Sequence, residues 1–259
     1  MEIGHEAWQR LVSGRVLVLT GAGVSAESGI PTFRDPGGLW RRHDPRTLAT
    51  REAFRRDPET VWSWYAMRRR AIRGARPNAA HRAVARMARR ARDFLLVTQN
   101  VDDLHERAGV PRRQLVHIHG TILHDRCMRC GYRRPAPPRA TRMPPPCPRC
   151  AEPLRPDVVW FDEELDPRAV DRIEEFIGRE AMDLVLVIGT NATFPYIRDW
   201  ANRGRANGGV MVEINPEASE LSTFADVVLR GPAAVVLPGL LKPGTGGPAP
   251  THQRTRSGT

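Results

Sequence analysis

The chain has 259 residues, of which 41% are hydrophobic and 27% charged, and its formal net charge is +11. This composition is ordinary for a globular protein and allows one large core, alone or beside a small one. No run approaches the roughly 18 consecutive apolar residues of a membrane-spanning helix, so no membrane span is expected. The positive charge is scattered arginine, which indicates a solvated basic surface rather than a dedicated nucleic-acid-binding face.

Apolar, β-branched runs alternate along the chain with patterns that are typical of helices. Strands are predicted over residues 15–20, 94–98, 115–118, 184–188, 210–214 and 227–229. Helices are predicted over residues 78–92, 167–179 and 196–205. Because strands alternate with helices, the sequence predicts an α/β fold with a parallel sheet.

Two segments interrupt this alternation and are predicted to form a smaller domain. Residues 36–77 contain a helix whose start is marked by Asp57 as the N-cap and Pro58 at the first helical position. Residues 123–153 are rich in proline and arginine and contain every cysteine. The remaining residues divide into a large α/β domain and a polar tail that is predicted to be disordered: 1–35, 78–122 and 154–242 for the domain, and 243–259 for the tail.

The cysteines form two Cys-x-x-Cys pairs, Cys127 with Cys130 and Cys147 with Cys150, separated by sixteen residues. Two such turns present four thiolates to one tetrahedral zinc ion, and with four protein ligands the zinc is predicted to be structural. The alternatives are disulfides, which do not suit a reducing compartment, and a redox dithiol, which does not need a second pair. The first eight residues lack the pattern of a secretory signal, so a cytoplasmic location is expected.

A glycine-rich turn follows the first predicted strand. Gly21, Ala22 and Gly23 allow close approach of the backbone to a pyrophosphate, and a helix is predicted to begin near Ser25. The next glycine, Gly29, comes six residues after Gly23 rather than three, so the pattern differs from that of hydride-transferring dehydrogenases. Polar residues at the ends of later strands can supply the remaining nucleotide contacts: Gly189, Thr190, Asn191 and Asn215.

Several longer motifs occur together in a fixed order. Residues 21–35 read Gly-Ala-Gly-Val-Ser-Ala-Glu-Ser-Gly-Ile-Pro-Thr-Phe-Arg-Asp, and residues 98–109 read Thr-Gln-Asn-Val-Asp-Asp-Leu-His-Glu-Arg-Ala-Gly. They are followed by His119 and Gly120, by the cysteine pairs, and by the runs 158–163 and 212–215. Over about residues 10–241, this combination resembles the sirtuins, which are NAD-dependent protein deacylases.

The resemblance implies a Rossmann-type large domain and a small domain built from a helical insertion and a zinc-ribbon module. It implies that NAD and an acyl-lysine peptide meet between them, with release of nicotinamide and O-acyl-ADP-ribose. The reaction needs a base for a ribose hydroxyl proton, and histidine titrates near neutrality. The family motif selects His119 over its neighbours His105 and His117.

The same matching implies the roles of other residues. Asn100 and Asp102 are assigned to catalysis with His119, although turn formation is the alternative for both. Val158 and Phe161 are assigned to the substrate peptide. The residues assigned to NAD are Gly21, Ala22, Gly23, Ser25, Ala26, Phe33, Arg34, Gln99, Asn100, Asp102, Gly189, Thr190, Asn191 and Asn215.

Tyr65 and Arg68 lie three residues apart on the predicted helix and therefore share a face. A guanidinium binds a carboxylate through two hydrogen bonds, and a phenol can add a third. The pair resembles the Tyr-x-x-Arg motif of the desuccinylase and demalonylase sirtuins, the class III bacterial type, so succinyl- or malonyl-lysine is expected beside acetyl-lysine. The alternative is a solvated basic face, because Arg69 and Arg70 follow.

The chain departs from the sirtuin pattern at three places. Asn191 stands where serine is common, Asp162 stands where the substrate loop carries glycine, and residues 192–196 form an unusual continuation. The favoured hypothesis is a monomeric protein-lysine deacylase whose partners are NAD and acyl-lysine side chains. The second is NAD cleavage or ADP-ribosyl transfer without deacylation. A zinc-ribbon nucleic-acid-binding protein ranks last, because only 6% of the residues are aromatic.

Overall fold

The structure is a computed structural model that describes residues 4–32, 38, 44–138 and 143–241. Its helices are α1 (His5–Ser13), α2 (Pro45–Leu48), α3 (Arg51–Arg56), α4 (Pro58–Gly74), α5 (Ala79–Arg90), α6 (Leu104–Arg107), α7 (Pro167–Arg179), α8 (Pro195–Ala206) and α9 (Ala233–Leu240). Its strands are β1 (Arg15–Thr20), β2 (Asp93–Thr98), β3 (Leu115–His117), β4 (Gly120–Cys127), β5 (Arg133–Pro135), β6 (Leu154–Val158), β7 (Leu184–Ile188), β8 (Val210–Asn215) and β9 (Val227–Arg230). Among these helices, none has the length and apolar character that crossing a membrane requires.

Six strands form a parallel sheet in the order β3-β2-β1-β7-β8-β9. The residues of β1 and β7 are all buried, which agrees with their uninterrupted apolar runs. Helices α1, α5 and α9 pack on one face of the sheet, and α7 and α8 pack on the other. The predicted α/β class with a Rossmann-type parallel sheet is therefore confirmed.

A second core lies outside this sheet. Strands β5, β4 and β6 form an antiparallel sheet that shares an apolar cluster with α2, α3 and α4. The helical insertion and the cysteine-containing segment thus pack against each other. This antiparallel sheet extends beyond the predicted zinc module of residues 123–153 at both ends, because β4 begins at Gly120 and β6 covers Leu154–Val158.

Local capping explains why two of the helices begin where they do. The Asp57 carboxylate accepts a hydrogen bond from the Thr60 main-chain N–H at the start of α4, as expected from the sequence. The Asn78 side chain accepts from the main-chain N–H groups of Ala80 and His81 at the start of α5. The helix expected near Ser25 is instead a 3-10 helix over Ala22–Ser28.

A buried ion pair joins α4 to β4. The Arg69 guanidinium contacts the fully buried Asp125 carboxylate at 2.7 Å and donates to the carbonyls of Ile122 and His124. Arg134, which is more exposed, contacts the same carboxylate at 3.3 Å. Since the Asp125 side chain is fully buried and that of Arg69 nearly so, the removal of one partner leaves the other charge in an environment of low dielectric constant.

The substitution Arg69→Met is expected to lower the free energy of unfolding by about 3 kcal/mol, because Asp125 loses its buried partner and keeps only Arg134. Chemical denaturation measures the change. Arg70→Met is the matched control, since Arg70 is exposed, and its effect is expected to stay within about 0.5 kcal/mol. Equal stability of the two variants would contradict this role of the ion pair.

Candidate active site

Two glycine-containing loops meet at the carboxyl ends of β1 and β7. The Gly23 main-chain N–H donates to the Gly189 carbonyl at 2.8 Å. A Cβ on Gly23 would lie 2.8 Å from Gly189 Cα, and a Cβ on Gly189, whose φ is +60°, would lie 2.4 Å from the Val24 nitrogen. Only glycine fits such close backbone packing, so the two loops are held together at one point of the sheet edge.

A cleft of about 1060 Å³ opens at this sheet edge and extends to α4 and to the segment after β6. Its position follows the general rule that open parallel sheets bind ligands beyond the carboxyl ends of their strands. Most of the predicted site residues line it: Gly21, Ala22, Gly23, Ala26, Tyr65, Arg68, Gln99, Asn100, His119, Val158, Phe161, Gly189, Thr190, Asn191 and Asn215. The predicted residues Phe33 and Arg34 lie outside the described residues.

Ser25 and Asp102, which do not line the cleft, form a buried hydrogen-bonded group with Asn100, which does. The Ser25 hydroxyl donates to the Asp102 carboxylate at 3.0 Å and accepts from the Asn100 side-chain amide at 3.1 Å. The Leu104 main-chain N–H donates to the other carboxylate oxygen. Burial raises the pKa of Asp102, which these two donors oppose. The group fixes the side chain of Asn100 at the cleft wall.

Amide side chains connect the ends of neighbouring strands around the cleft. The Gln99 side chain donates to the Thr190 hydroxyl at 2.9 Å, which links the loop after β2 to the loop after β7. The Asn215 side chain donates to the Thr190 carbonyl at 2.8 Å and to the buried Glu213 carboxylate. The polar residues predicted at these strand ends therefore surround one volume.

His119 has a partner at each ring nitrogen. Nδ1 lies 2.9 Å from the Gln99 carbonyl oxygen, and Nε2 lies 2.6 Å from the Tyr196 hydroxyl. A carbonyl oxygen can only accept, so Nδ1 carries the proton and Nε2 presents its lone pair. Burial lowers the pKa of His119 to about 4, which keeps the ring neutral near pH 7. A neutral imidazole whose Nε2 carries no proton can act as a base at that nitrogen.

Tyr65 and Arg68 lie on the α4 side of the same cleft. The Tyr65 hydroxyl accepts from the Trp160 indole N–H at 3.0 Å, which leaves its own proton for donation. Burial raises the pKa of Tyr65 to about 12, so the phenol stays protonated. The Arg68 guanidinium lies 4.7 Å from the centroid of the Trp64 ring. Aromatic rings thus position both groups of the predicted Tyr-x-x-Arg pair.

The segment after β6 is attached to the neighbouring helices by its acidic side chains. The Asp162 carboxylate accepts from the Arg51 main-chain N–H at the start of α3, at 2.9 and 3.0 Å. The Glu163 carboxylate, only 3% exposed, contacts Arg51, Arg126 and Arg155. This attachment gives Asp162 a structural role and leaves the adjacent Phe161 exposed at the cleft.

The four cysteine sulfurs all lie within 4.8 Å of one another. Tetrahedral zinc with bonds of about 2.3 Å requires sulfur separations of about 3.8 Å, so the four sulfurs fit one ion. No other group of cysteine, histidine and acidic side chains among the described residues is arranged to hold a metal. The arrangement therefore fits the predicted structural zinc site, whose ligands would be Cys127, Cys130, Cys147 and Cys150.

Some residues in the cleft or in contact with its buried polar group were not among those predicted from the sequence. Trp160 and Tyr196 contact the key side chains Tyr65 and His119 across 95 and 77 residues of sequence, respectively. His81 is fully buried, and its Nε2 lies 3.3 Å from the Ser25 hydroxyl. The only sequence signal for Tyr196 was its place in the unusual run 192–196.

Comparison with known proteins identifies the family. The profile of the Sir2 family matches residues 21–194. An NAD-dependent protein deacylase from Thermus thermophilus is 47% identical over 251 residues, which cover 94% of this chain and 96% of the relative. This chain belongs to the Sir2 family. NAD-dependent protein deacylase 1 from Pseudomonas aeruginosa, also similar to it, is 46% identical over 237 residues, with coverage of 88% and 93%.

Solved structures of the Sir2 family share the architecture. A variant of a Sir2 homologue in complex with ADP-ribose has a TM-score of 0.83 and 41% identity, covering 91% of this chain and 94% of that chain. A crystal structure of a Sir2 homologue with NAD has a TM-score of 0.81 and 41% identity, covering 91% of each chain. The resemblance to the sirtuins is thereby confirmed at the level of family and fold.

Removal of the metal from this Sir2-family protein is expected to unfold the module between β4 and β6, because few apolar residues there could hold it without zinc. Cys147→Ser, measured by elemental analysis and thermal unfolding, should bind less than one equivalent of zinc and melt at lower temperature. Return of zinc to chelator-treated parent protein should restore the melting temperature. A zinc-free parent that melts like the zinc-loaded protein would exclude a structural role for the metal.

Three buried histidines are expected to make the stability of the protein depend on pH. Burial lowers the pKa of His81 and His119 to about 4 and that of His105 well below its ordinary value. Unfolded imidazoles titrate near 6.5, so between about pH 6.5 and 4 the unfolded chain binds more protons. The free energy of unfolding should fall as the pH decreases from 6.5 to 5, before most carboxylates titrate.

The pKa of His117, which pairs with Glu106, is raised instead. The stability that this pair contributes is lost only as the pH rises above 6.5, so it does not change between pH 6.5 and 5. Urea denaturation at a series of pH values measures the trend, and His81→Gln should reduce its slope. Constant stability between pH 6.5 and 5 would contradict the burial of neutral histidines.

Proposed function

We propose that this protein is an NAD-dependent protein-lysine deacylase that prefers succinyl- and malonyl-lysine and also accepts acetyl-lysine. The net reaction converts acyl-lysine, NAD and water into lysine, nicotinamide and O-acyl-ADP-ribose. The observation that carries the proposal is the common cleft, which has His119 and the strand-end amides on one wall and Tyr65 and Arg68 on the other. His119 as a base and the Tyr65–Arg68 pair as a carboxylate-binding site face the same cleft, so one bound acyl-lysine can reach both.

The chemistry of the cleft wall fits NAD. Side-chain amides and hydroxyls that can hold ribose, phosphate and carboxamide groups surround the paired glycine loops, namely Gln99, Asn100, Thr190, Asn191 and Asn215. When bound, NAD supplies a ribose carbon that can receive the acyl oxygen as nicotinamide leaves. Relatives in the Sir2 family are named NAD-dependent protein deacylases, which supports the same assignment.

In this proposal His119 acts as the general base. Its Nδ1 proton is engaged by the Gln99 carbonyl, so the ring can receive a sugar hydroxyl proton only at Nε2. Asn100, held by the Ser25 and Asp102 group, uses its amide to orient the sugar. The buried carboxylate of Asp102 fixes Ser25 and favours positive charge developing above the floor of the cleft.

The acyl preference follows from the two groups on α4. A succinyl or malonyl chain ends in a carboxylate, which the Arg68 guanidinium can bind through two hydrogen bonds and the Tyr65 hydroxyl through a third. The Tyr65 hydroxyl already accepts a hydrogen bond from the Trp160 indole N–H, so the hydroxyl can donate its own proton to a ligand. An acetyl group lacks the carboxylate and therefore forms none of these three hydrogen bonds.

A panel of acetyl-, succinyl- and malonyl-lysine peptides with NAD tests the function by mass spectrometry. The expected products are free lysine peptide, nicotinamide and O-acyl-ADP-ribose, with the acidic acyl groups removed fastest. Formation of ADP-ribose or ADP-ribosylated protein with every peptide left acylated would instead establish NAD cleavage or ADP-ribosyl transfer. Equal rates on all three peptides would overturn the acyl preference alone.

Arg68→Met is expected to reduce kcat/KM for succinyl-lysine by at least about 10²-fold, the cost of two or more lost charge-assisted hydrogen bonds. The rate on acetyl-lysine should change only a few-fold. Arg70→Met, on the exposed face of the same helix, is the matched control. An equal loss of kcat/KM on both peptides would show that Arg68 does not determine the acyl preference.

A further inference from the structure

Tyr196 is held at the cleft wall by the start of α8. It follows Pro195, the first residue of that helix, and its ring stacks on Phe194 with centroids 5.4 Å apart and planes at 17°. The buried Trp200 ring lies 5.4 Å away on the next turn of the helix. Aromatic neighbours and a helical backbone thus fix the direction in which the phenol points.

The hydrogen bond between Tyr196 and His119 can form in only one direction. Since Nδ1 of His119 carries the ring proton, Nε2 must accept, and the Tyr196 hydroxyl must donate across the 2.6 Å between them. The lone pair assigned to the sugar hydroxyl is therefore already occupied by a phenol proton.

The oxygen of this phenol remains available on its other side. Tyr196 lines the cleft, and within the described residues its hydroxyl has no hydrogen-bond partner besides His119. A hydroxyl that donates one proton keeps acceptor lone pairs, so it can receive a hydrogen bond from a second hydroxyl. Burial also raises the pKa of Tyr196, which keeps the phenol in its protonated form.

We propose that Tyr196 is a further catalytic residue, which relays the sugar hydroxyl proton to His119. The sugar O–H bond breaks and its proton forms a new O–H bond at Tyr196, while the original phenol proton forms an N–H bond at His119 Nε2. The electron pair stays on the sugar oxygen, and Tyr196 ends the step neutral. The inference rests on the proposed function and deepens it, because it specifies the path to the base.

Direct contact between the sugar and His119 is the competing arrangement. It requires the phenol to leave Nε2, and therefore to break its packing against Phe194 and Trp200. The relay needs no such movement, since the sugar hydroxyl meets a group that is already in place. The two arrangements predict opposite effects of removing the hydroxyl: loss of turnover for the relay, and unchanged or faster turnover for direct contact.

The test uses Tyr196→Phe, which removes one oxygen and keeps the ring, with Tyr132→Phe in the zinc module as the matched control. Steady-state assays with NAD and the best acyl peptide should show kcat reduced by about 10²-fold, the scale of a lost proton-transfer group, with KM for NAD unchanged. Calorimetry should give parental NAD affinity. Exchange of labelled nicotinamide into NAD should also be preserved, because nicotinamide leaves before the base acts.

A measurement on the free protein is independent of turnover. In ¹⁵N NMR of the histidine rings, Tyr196→Phe should shift the Nε2 signal of His119 to that of a nitrogen without a donor, while Nδ1 keeps its proton. An unshifted Nε2 signal would show that the hydrogen bond from Tyr196 to His119 does not form, and it would overturn the relay. A turnover equal to or above the parent's would overturn the relay in favour of direct contact.

Loss of NAD affinity or of nicotinamide exchange would assign Tyr196 a merely structural role and also overturn the relay. A parent protein that deacylates none of the peptides would overturn the proposed function as well. Failure of the relay alone is recognised by an active parent whose Tyr196→Phe variant is equally active.

Discussion

The hydrogen bond between His119 Nδ1 and the Gln99 carbonyl determines what the cleft can do. It assigns the ring proton to one nitrogen and directs the other to Tyr196 and the open volume. Gln99 can provide that carbonyl because it directly follows β2, next to the end of β3 from which His119 emerges. The tautomer of His119 is thus a consequence of strand order in the sheet.

The same sheet edge explains why the other groups converge. Gly23 and Gly189 allow the loops after β1 and β7 to touch, and the small core formed by α2–α4 and β4–β6 supplies the opposite wall. Asp162, which departs from the sirtuin pattern, and Glu163, which follows it, attach the segment after β6 to that wall. One wall therefore suits the nucleotide and the other suits the acyl chain.

The sequence predicted the parallel sheet well, because β7 is apolar throughout and β1 is apolar between Arg15 and Thr20 at its ends. It also predicted two helix starts, which Asp57 and Asn78 mark. It did not predict α9, which is apolar around its circumference and contains a proline, so it lacks helical periodicity. The cysteine spacing predicted which four sulfurs come together, because each Cys-x-x-Cys turn brings two thiols to one point. The contacts of Trp160 and Tyr196 could not be predicted, because each joins side chains far apart in the chain and depends on packing rather than on a local pattern.

The most direct test of this account is the activity of His119→Ala on the best acyl-lysine peptide, with NAD affinity measured on the same preparation. The account predicts a fall in turnover of roughly 10²- to 10⁴-fold with NAD affinity within a few-fold of the parent, since the ring moves a proton rather than holding the nucleotide. Turnover comparable with that of the parent would contradict it.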